Sequence, residues 1–254
     1  LVLVTGPTGS GKTTTLYAGL AELNSAETKI ITVEDPVEYR LPRVSQVQVN
    51  PKIELTFARV LRAALRQDPD IVLVGEIRDG ETAEIALRAA LTGHLVLSTL
   101  HTNDALTSPL RLIDMGAEPF LVANSLNAVL AQRLVRRVCE NCREAQRPDA
   151  RELLWLEAIH GAPLAEQHFS RGSGCHLCNN TGYLGRIGVY ELLEINAPMA
   201  AALRRHDPQA FVEAAHAQPN YRPLAAVALD YALTGVTSIE EVFRISASLG
   251  DLEG

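Results

Sequence analysis

Aromatic residues are scarce in this sequence: Phe, Trp and Tyr make up 5% of 254 residues, with a single Trp. Positive charge is in deficit, 23 Lys plus Arg against 30 Asp plus Glu, for a net charge of -7. An acidic chain without interleaved basic and aromatic residues argues against non-specific nucleic-acid binding, which lives on clustered positive charge. Long hydrophobic runs are missing too. The longest, such as residues 71–74 and 95–97, are strand-sized, far below the ~20 residues that span a bilayer. There is no Met at position 1 and no charged segment leading into an apolar one, so no signal peptide is expected. Leu1 opens inside an apolar strand pattern, and the sequence reads as a fragment begun in mid-strand.

What is present is an ordinary globular balance, 47% hydrophobic and 21% charged. That excludes disorder, collagen and a disulfide miniprotein. At ~150 residues per domain the length fits one large domain, or one domain with an appendage. The four cysteines form two Cys-x-x-Cys pairs. Without a secretory signal this reads as metal binding in the cytosol, not as a disulfide frame.

The first ~135 residues alternate short strand-like runs with helical patterns, the signature of a mainly parallel sheet covered by helices. The pattern predicts strands at 1–4, 30–33, 71–74 and 95–99. It predicts helices at 12–23, 57–66, 81–91, 105–115 and 119–137. Thr56 is placed to cap the second helix and Gly93 to end the third. From 139 to 188 the chain is loop-rich, with Gly, Cys, Asn and Ser clustered at 171–188. A strand is expected at 189–195, then a small helical bundle. Ser238 and Glu241 have capping-box spacing before the last helix, and 250–254 reads as a frayed tail.

Gly6-Pro7-Thr8-Gly9-Ser10-Gly11-Lys12-Thr13 fits G-x-x-x-x-G-K-S/T, between a predicted strand and a predicted helix. In that context the glycines turn backbone N–H groups around a phosphate, and the helix N-terminus adds partial positive charge. Lys12 would neutralise the β- and γ-phosphates, and the Thr13 hydroxyl would ligate Mg²⁺. Asp68 to Glu76 is an apolar strand ending in an acid, the position that supports Mg²⁺ or orients water in such sites. Gly75 stands where the usual Asp would be, with Glu76 beside it. A second acid cluster, Glu34-Asp35-Pro36-Val37-Glu38, follows the second strand. Pattern alone leaves Glu34 either a general base or a loop salt-bridge partner, with Asp35 and Glu38 structural or Mg²⁺-supporting. His101 follows a strand at the same sheet edge and is placed to sense the γ-phosphate.

Cys139/Cys142 and Cys175/Cys178 supply four thiolates from two tight turns, a closed and therefore structural zinc site. His176 is a spare ligand. Arg133, Arg136 and Arg137 read as a charged helix end offsetting the dipole rather than a nucleic-acid patch.

These segments resemble one family. The run Thr5 to Thr14, the Glu34–Glu38 segment, Gly75-Glu76-Ile77-Arg78-Asp79 and Thr92 through Asn103 resemble the Walker A, Asp box, Walker B and His box of type II/type IV secretion ATPases. The resemblance covers nearly all of the chain. It implies a RecA-like α/β P-loop core at 1–138, a tetracysteine zinc subdomain at 139–180, and a return strand with a helical subdomain at 181–254. It implies ATP bound by Gly6, Pro7, Thr8, Gly9, Ser10, Gly11, Lys12, Thr13 and Thr14. Glu34 is then the catalytic base, Glu76 the Mg²⁺-linked acid and His101 a phosphate sensor. The expected activity is ATP hydrolysis by a homo-hexamer pushing a platform protein at the cytoplasmic face of the bacterial inner membrane. Membrane association runs through partners only, and nucleic acid is not a partner. Residues 110–116 and 131–137 look like the mannose-sensitive haemagglutinin type of pilus assembly ATPase, with type II secretion as the alternative. The family's arginine fingers and any cyclic di-GMP site belong to N-terminal domains not contained in these residues.

Overall fold

The computed structural model describes residues 1–250, with side chains through residue 247. The chain forms two compact units, Leu1–Ala131 with Leu192–Tyr221, and Gln132–Glu191 with Arg222 onward.

The first unit begins with β1 (Val2–Thr5), α1 (Lys12–Leu23), β2 (Ile30–Glu34) and β3 (Val44–Gln48). It continues through α2 (Phe57–Leu65), β4 (Ile71–Val74), α3 (Gly80–Leu91), β5 (Leu95–Leu100), α4 (Thr107–Asp114) and α5 (Pro119–Ser125). The strand β6 (Ala128–Val138) then leaves it. A later strand of the same sheet, β9 (Tyr183–Glu194), returns to it. The strand order is β3-β2-β4-β5-β1-β6-β9, and the pairs β2·β3, β2·β4, β4·β5, β1·β5 and β1·β6 are parallel. Every residue of β2 and β4 is buried, as expected where helices cover both faces of a parallel sheet. Leu16 and Leu20 of α1 pack with Val4, Ile30, Ile71, Leu73 and Leu97, which seats the helix on the sheet.

The helix starts are set by local chemistry. Thr56 accepts from the Arg59 N–H and Asp79 from the Thr82 N–H, so one orphan donor at each first turn finds a partner nearby. Gly93, at φ +106°, follows the end of α3 as the sequence suggests.

One predicted helix is wrong. Residues 119–137 form the short α5 and then β6, not a single helix. Ala, Leu, Gln and Arg favour helix locally, but β1 has a free edge. Pairing there, from Val2↔Ala128 to Thr5↔Ala131, overrides propensity. Arg133, Arg136 and Arg137 are therefore strand residues, not a helix end. The edge strand β3 also escapes the sequence pattern, because VSQVQ is polar and only half-buried.

The second unit holds β7 (Arg143–Gln146), α6 (Ala150–His160), β8 (Phe169–Gly172) and β9 (Tyr183–Glu194), with β7 and β8 pairing antiparallel. β9 is longer than the predicted 189–195. Of the expected helical bundle, α7 (Ala197–Arg204) and α8 (Pro208–His216) belong to the first unit. The helices α9 (Leu224–Leu233) and α10 (Ile239–Gly250) belong to the second. Trp155 of α6 stacks on Phe243 of α10 at 4.0 Å between ring centroids. Glu241 is fully buried, and its carboxylate serves Arg136 and Arg244. The expected tail beyond Gly250 lies outside the described residues.

Candidate nucleotide site and cysteine cluster

The glycine loop joins the C-terminal end of β1 to α1. Gly9 and Gly11 sit at φ +79° and +90°, a backbone region that a side chain strains. Gly11 in this conformation is the N-cap of α1, where it supplies no side-chain cap. Lys12 folds back, its Nζ donating to the carbonyls of Gly6 at 2.8 Å and Pro7 at 3.1 Å. Pro7, Thr8, Gly9 and Thr14 are exposed, Thr13 is half-buried, and Gly6 and Ser10 are buried. Thr5 and Thr102 share a 2.7 Å hydroxyl contact, and the Thr102 N–H donates to Thr5 Oγ1. These bonds lock the ends of β1 and β5 together beneath the loop.

Glu76 follows β4 at the same sheet edge. Its carboxylate meets Arg78 at 2.5 Å and His101 Nε2 at 3.4 Å. Arg78 thus pairs with Glu76, whereas Asp79 caps α3 and Glu81 pairs with Arg62. The bond to Glu76 raises the pKa of Arg78, and Asp35 adds to the effect, which puts the start of the acid loop in the same field. The Gly75 departure has a steric cause. A Cβ there would lie 3.1 Å from the Val33 carbonyl oxygen and 3.3 Å from Glu34 Cα.

Glu34 ends β2 and is 3% exposed. Tyr17 Oη donates to one carboxylate oxygen. Thr32 Oγ1 and Gln46 Nε2 donate to the other, the latter at 3.2 Å. A general base needs a lone pair facing water. Both Glu34 oxygens face protein donors, while Glu38, four residues on, is exposed. Burial, then the bond to Glu34, pushes the Tyr17 phenol well above its ordinary range. Nothing in the sequence pattern pointed to Tyr17, an ordinary helix residue, or to Gln46, which sits in a strand the pattern does not show.

The four cysteine sulfurs of the second unit all lie within 4.8 Å of one another. Adjacent pairs stand at 3.9 Å (Cys139–Cys175), 3.8 Å (Cys142–Cys178) and 3.7 Å (Cys175–Cys178). Four thiolates at ~2.3 Å from a tetrahedral ion stand about 3.8 Å apart, so the donor set fits a thiolate-bound metal. Backbone N–H groups of Cys175 and Gly182 donate to Cys178 Sγ at 3.2 and 3.3 Å. Burial pushes the Cys178 thiol up, but those donors outweigh it and bring it down to about 6. Burial dominates at Cys142 and pushes it up to about 12. The Asn141 side chain and the Cys178 backbone lower Cys175. Gly172 and Gly182 let the two turns meet, since a Cβ on Gly172 would lie 2.0 Å from the Gly182 oxygen.

Residues 1–244 match the family described as type II/IV secretion system protein. The chain belongs to that family. It is 50% identical over 246 residues to the type II secretion system ATPase E of Vibrio cholerae, covering 97% of this chain and 48% of that protein. It is 53% identical over 247 residues to the type II secretion system protein E of Dickeya dadantii, with the same coverage. The chain thus spans about half the length of the curated relatives it matches. Among solved structures, the pilus retraction motor PilT with bound ADP superposes with a TM-score of 0.71 at 30% identity. That alignment covers 99% of this chain and 62% of the PilT chain. No helix among the described residues is long and apolar enough to cross a membrane.

Proposed function

We propose that these residues form the nucleotide-hydrolysing motor part of a type II secretion ATPase. The observation that carries the reading is the glycine loop at the edge of the parallel sheet, with Lys12 folded over it and Glu76 and His101 at the ends of β4 and β5. The relatives' names favour type II secretion over the mannose-sensitive haemagglutinin pilus reading.

ATP is the substrate. The exposed loop N–H groups and Lys12 take the phosphates, the Lys exchanging its loop carbonyls for phosphate oxygens. The Thr13 hydroxyl and the Glu76 carboxylate are oxygen donors of the kind that suits Mg²⁺, which would neutralise phosphate charge when bound. His101, half-exposed beside Glu76, reads the γ-phosphate through its ring N–H. Water attacks the γ-phosphorus, the bond to ADP breaks, and an acid of the loop after β2 takes the proton. The resemblance assigns that base to Glu34. The enclosure of Glu34 favours Glu38 instead, with Glu34 an anchor for the loop. Cys139, Cys142, Cys175 and Cys178 would hold Zn²⁺ in a structural role, their thiolates leaving no position open for chemistry. The whole protein works as a homo-hexamer on an inner-membrane platform protein at the cytoplasmic face, without nucleic acid.

Steady-state ATP turnover and direct nucleotide binding test the reading. Lys12→Ala loses binding. Glu38→Gln keeps binding and loses hydrolysis by about 10²–10⁴-fold, the usual worth of a general base. If Glu34→Gln shows that loss and Glu38→Gln turns over normally, the base is Glu34. Turnover that depends on added DNA would replace the secretion motor with a nucleic-acid motor.

A further inference from the structure

The loop of residues 35–41, between β2 and β3, has no helix or strand of its own. Its backbone is held by side chains from outside it. Gln46 of β3 accepts the Leu41 N–H at 2.7 Å through Oε1 and donates to the Tyr39 carbonyl at 3.1 Å through Nε2. Gln48 of the same strand accepts the Val37 N–H at 3.4 Å. An irregular acid-bearing loop is thereby fixed at three backbone groups.

Gln46 meets Tyr17 and Glu34 at one buried point. Tyr17, 1% exposed, donates to Glu34, and Gln46 Nε2 reaches both Glu34 at 3.2 Å and the Tyr17 oxygen at 3.4 Å. The Tyr39 ring closes the cluster edge-on against Tyr17 at 4.7 Å. Tyr17 belongs to α1, whose first turn carries Lys12 and Thr13. A helix is stiff over five residues, about 7.5 Å of rise. The position of the phosphate-binding turn is therefore transmitted to the loop through one phenol hydroxyl.

We propose that Tyr17 and Gln46 are positioning residues for ATP hydrolysis: joined through Glu34, they hold the 35–41 loop, with Glu38, in register with the phosphate-binding end of α1. This rests on the reading of the site as an ATPase with Glu38 as base. Neither residue touches substrate; each acts by keeping Glu38 where its proton transfer is productive, and such placement governs the chemical step more than binding.

The experiment uses the whole protein that carries this sequence. Tyr17→Phe keeps the ring and its contact with Tyr39 and removes only the hydroxyl. Gln46→Met keeps the volume and removes the amide. Each is measured for kcat, for the Kd of a fluorescent ATP analogue, and for turnover in a Glu38→Gln background. The expected result is a kcat at least tenfold lower with Kd within about twofold. In the Glu38→Gln background the second substitution should then cost almost nothing, because residues acting as a unit are non-additive. An unchanged kcat, or losses that multiply in the double variants, overturns the proposal. If Tyr17→Phe fails to fold, Gln46→Met decides alone. A parent protein without ATPase activity, or one indifferent to Lys12→Ala, sinks the function reading itself. An active parent with an indifferent Tyr17→Phe sinks only the positioning role.

Discussion

Arg78 and Glu76 form an ion pair of 2.5 Å at the C-terminal end of β4, with His101 Nε2 3.4 Å from the same carboxylate. The guanidinium is largely exposed and the carboxylate largely buried, so Arg78 is the member able to move. Arg78 pairs with Glu76 across the strand end, not with Asp79 or Glu81 beside it in sequence. Glu76→Gln should keep nucleotide binding within a few-fold and lower turnover by about 10²-fold, the lower end for an acid acting on the reaction. Arg78→Ala should cost less than ~1 kcal/mol of stability, since an exposed partner is screened. Urea melts and single-turnover hydrolysis check both; equal losses of stability in the two variants would contradict the assignment.

Gly75 occupies the position where an Asp was expected, and the packing there is tight for any side chain. Its Cβ would press on the Val33 oxygen at 3.1 Å and on Glu34 Cα at 3.3 Å. Gly75→Asp should destabilise the protein by about 2–3 kcal/mol, from overpacking together with a carboxylate set against buried backbone. It should not raise ATP turnover. A melting temperature equal to the parent's would show that β2 and β4 can part at no cost.

The conformation of the glycine loop was legible because its demands are local: glycines at positive φ, and a strand and helix on either side. Helix α1 was legible to the residue for the same reason. What was not legible depends on partners distant in sequence. β6 carries helix-favouring residues and is a strand only because β1 offers an edge 126 residues earlier. Pattern alone leaves Glu34 either a general base or a loop salt-bridge partner. Its enclosure is set by Tyr17, Thr32 and Gln46, and no spacing rule links Gln46 to it. The two Cys-x-x-Cys pairs were legible as a set, and the sulfur separations bear out the grouping.

Removing metal should loosen the cysteine region without unfolding the first unit. The cluster joins two turns whose own packing is thin: Leu177 is exposed, and the segment rests on backbone bonds such as the Cys139 N–H to the Gly182 oxygen at 2.9 Å. One zinc per chain is expected by elemental analysis. A chelator, or Cys139→Ser, should raise amide exchange across residues 139–182 while the glycine loop still binds nucleotide. Release should come more easily in acid, because protons compete with the metal for thiolates. Unchanged exchange after metal removal would mean that the four sulfurs are held by packing alone.

Glu241 provides the sharpest stability test, because its carboxylate is fully buried and its two arginines are not. One oxygen accepts from the Arg136 backbone N–H at 2.7 Å and the other from its Nε at 2.9 Å. Arg244 reaches the carboxylate at 2.9 Å, and the Arg136 guanidinium lies 3.9 Å from the centre of the Tyr183 ring. Removing the buried partner strands an N–H and a cation beside apolar groups. Removing Arg244 leaves Glu241 still paired with Arg136. Glu241→Ala should therefore cost about 2–4 kcal/mol, reduced from the fully buried case because Arg136 can turn toward water. Arg244→Ala should cost under about 1 kcal/mol. Chemical denaturation of the two variants checks the ordering. A reversed order, with Arg244→Ala the costlier change, would mean that Arg244 rather than Arg136 holds α10 to β6.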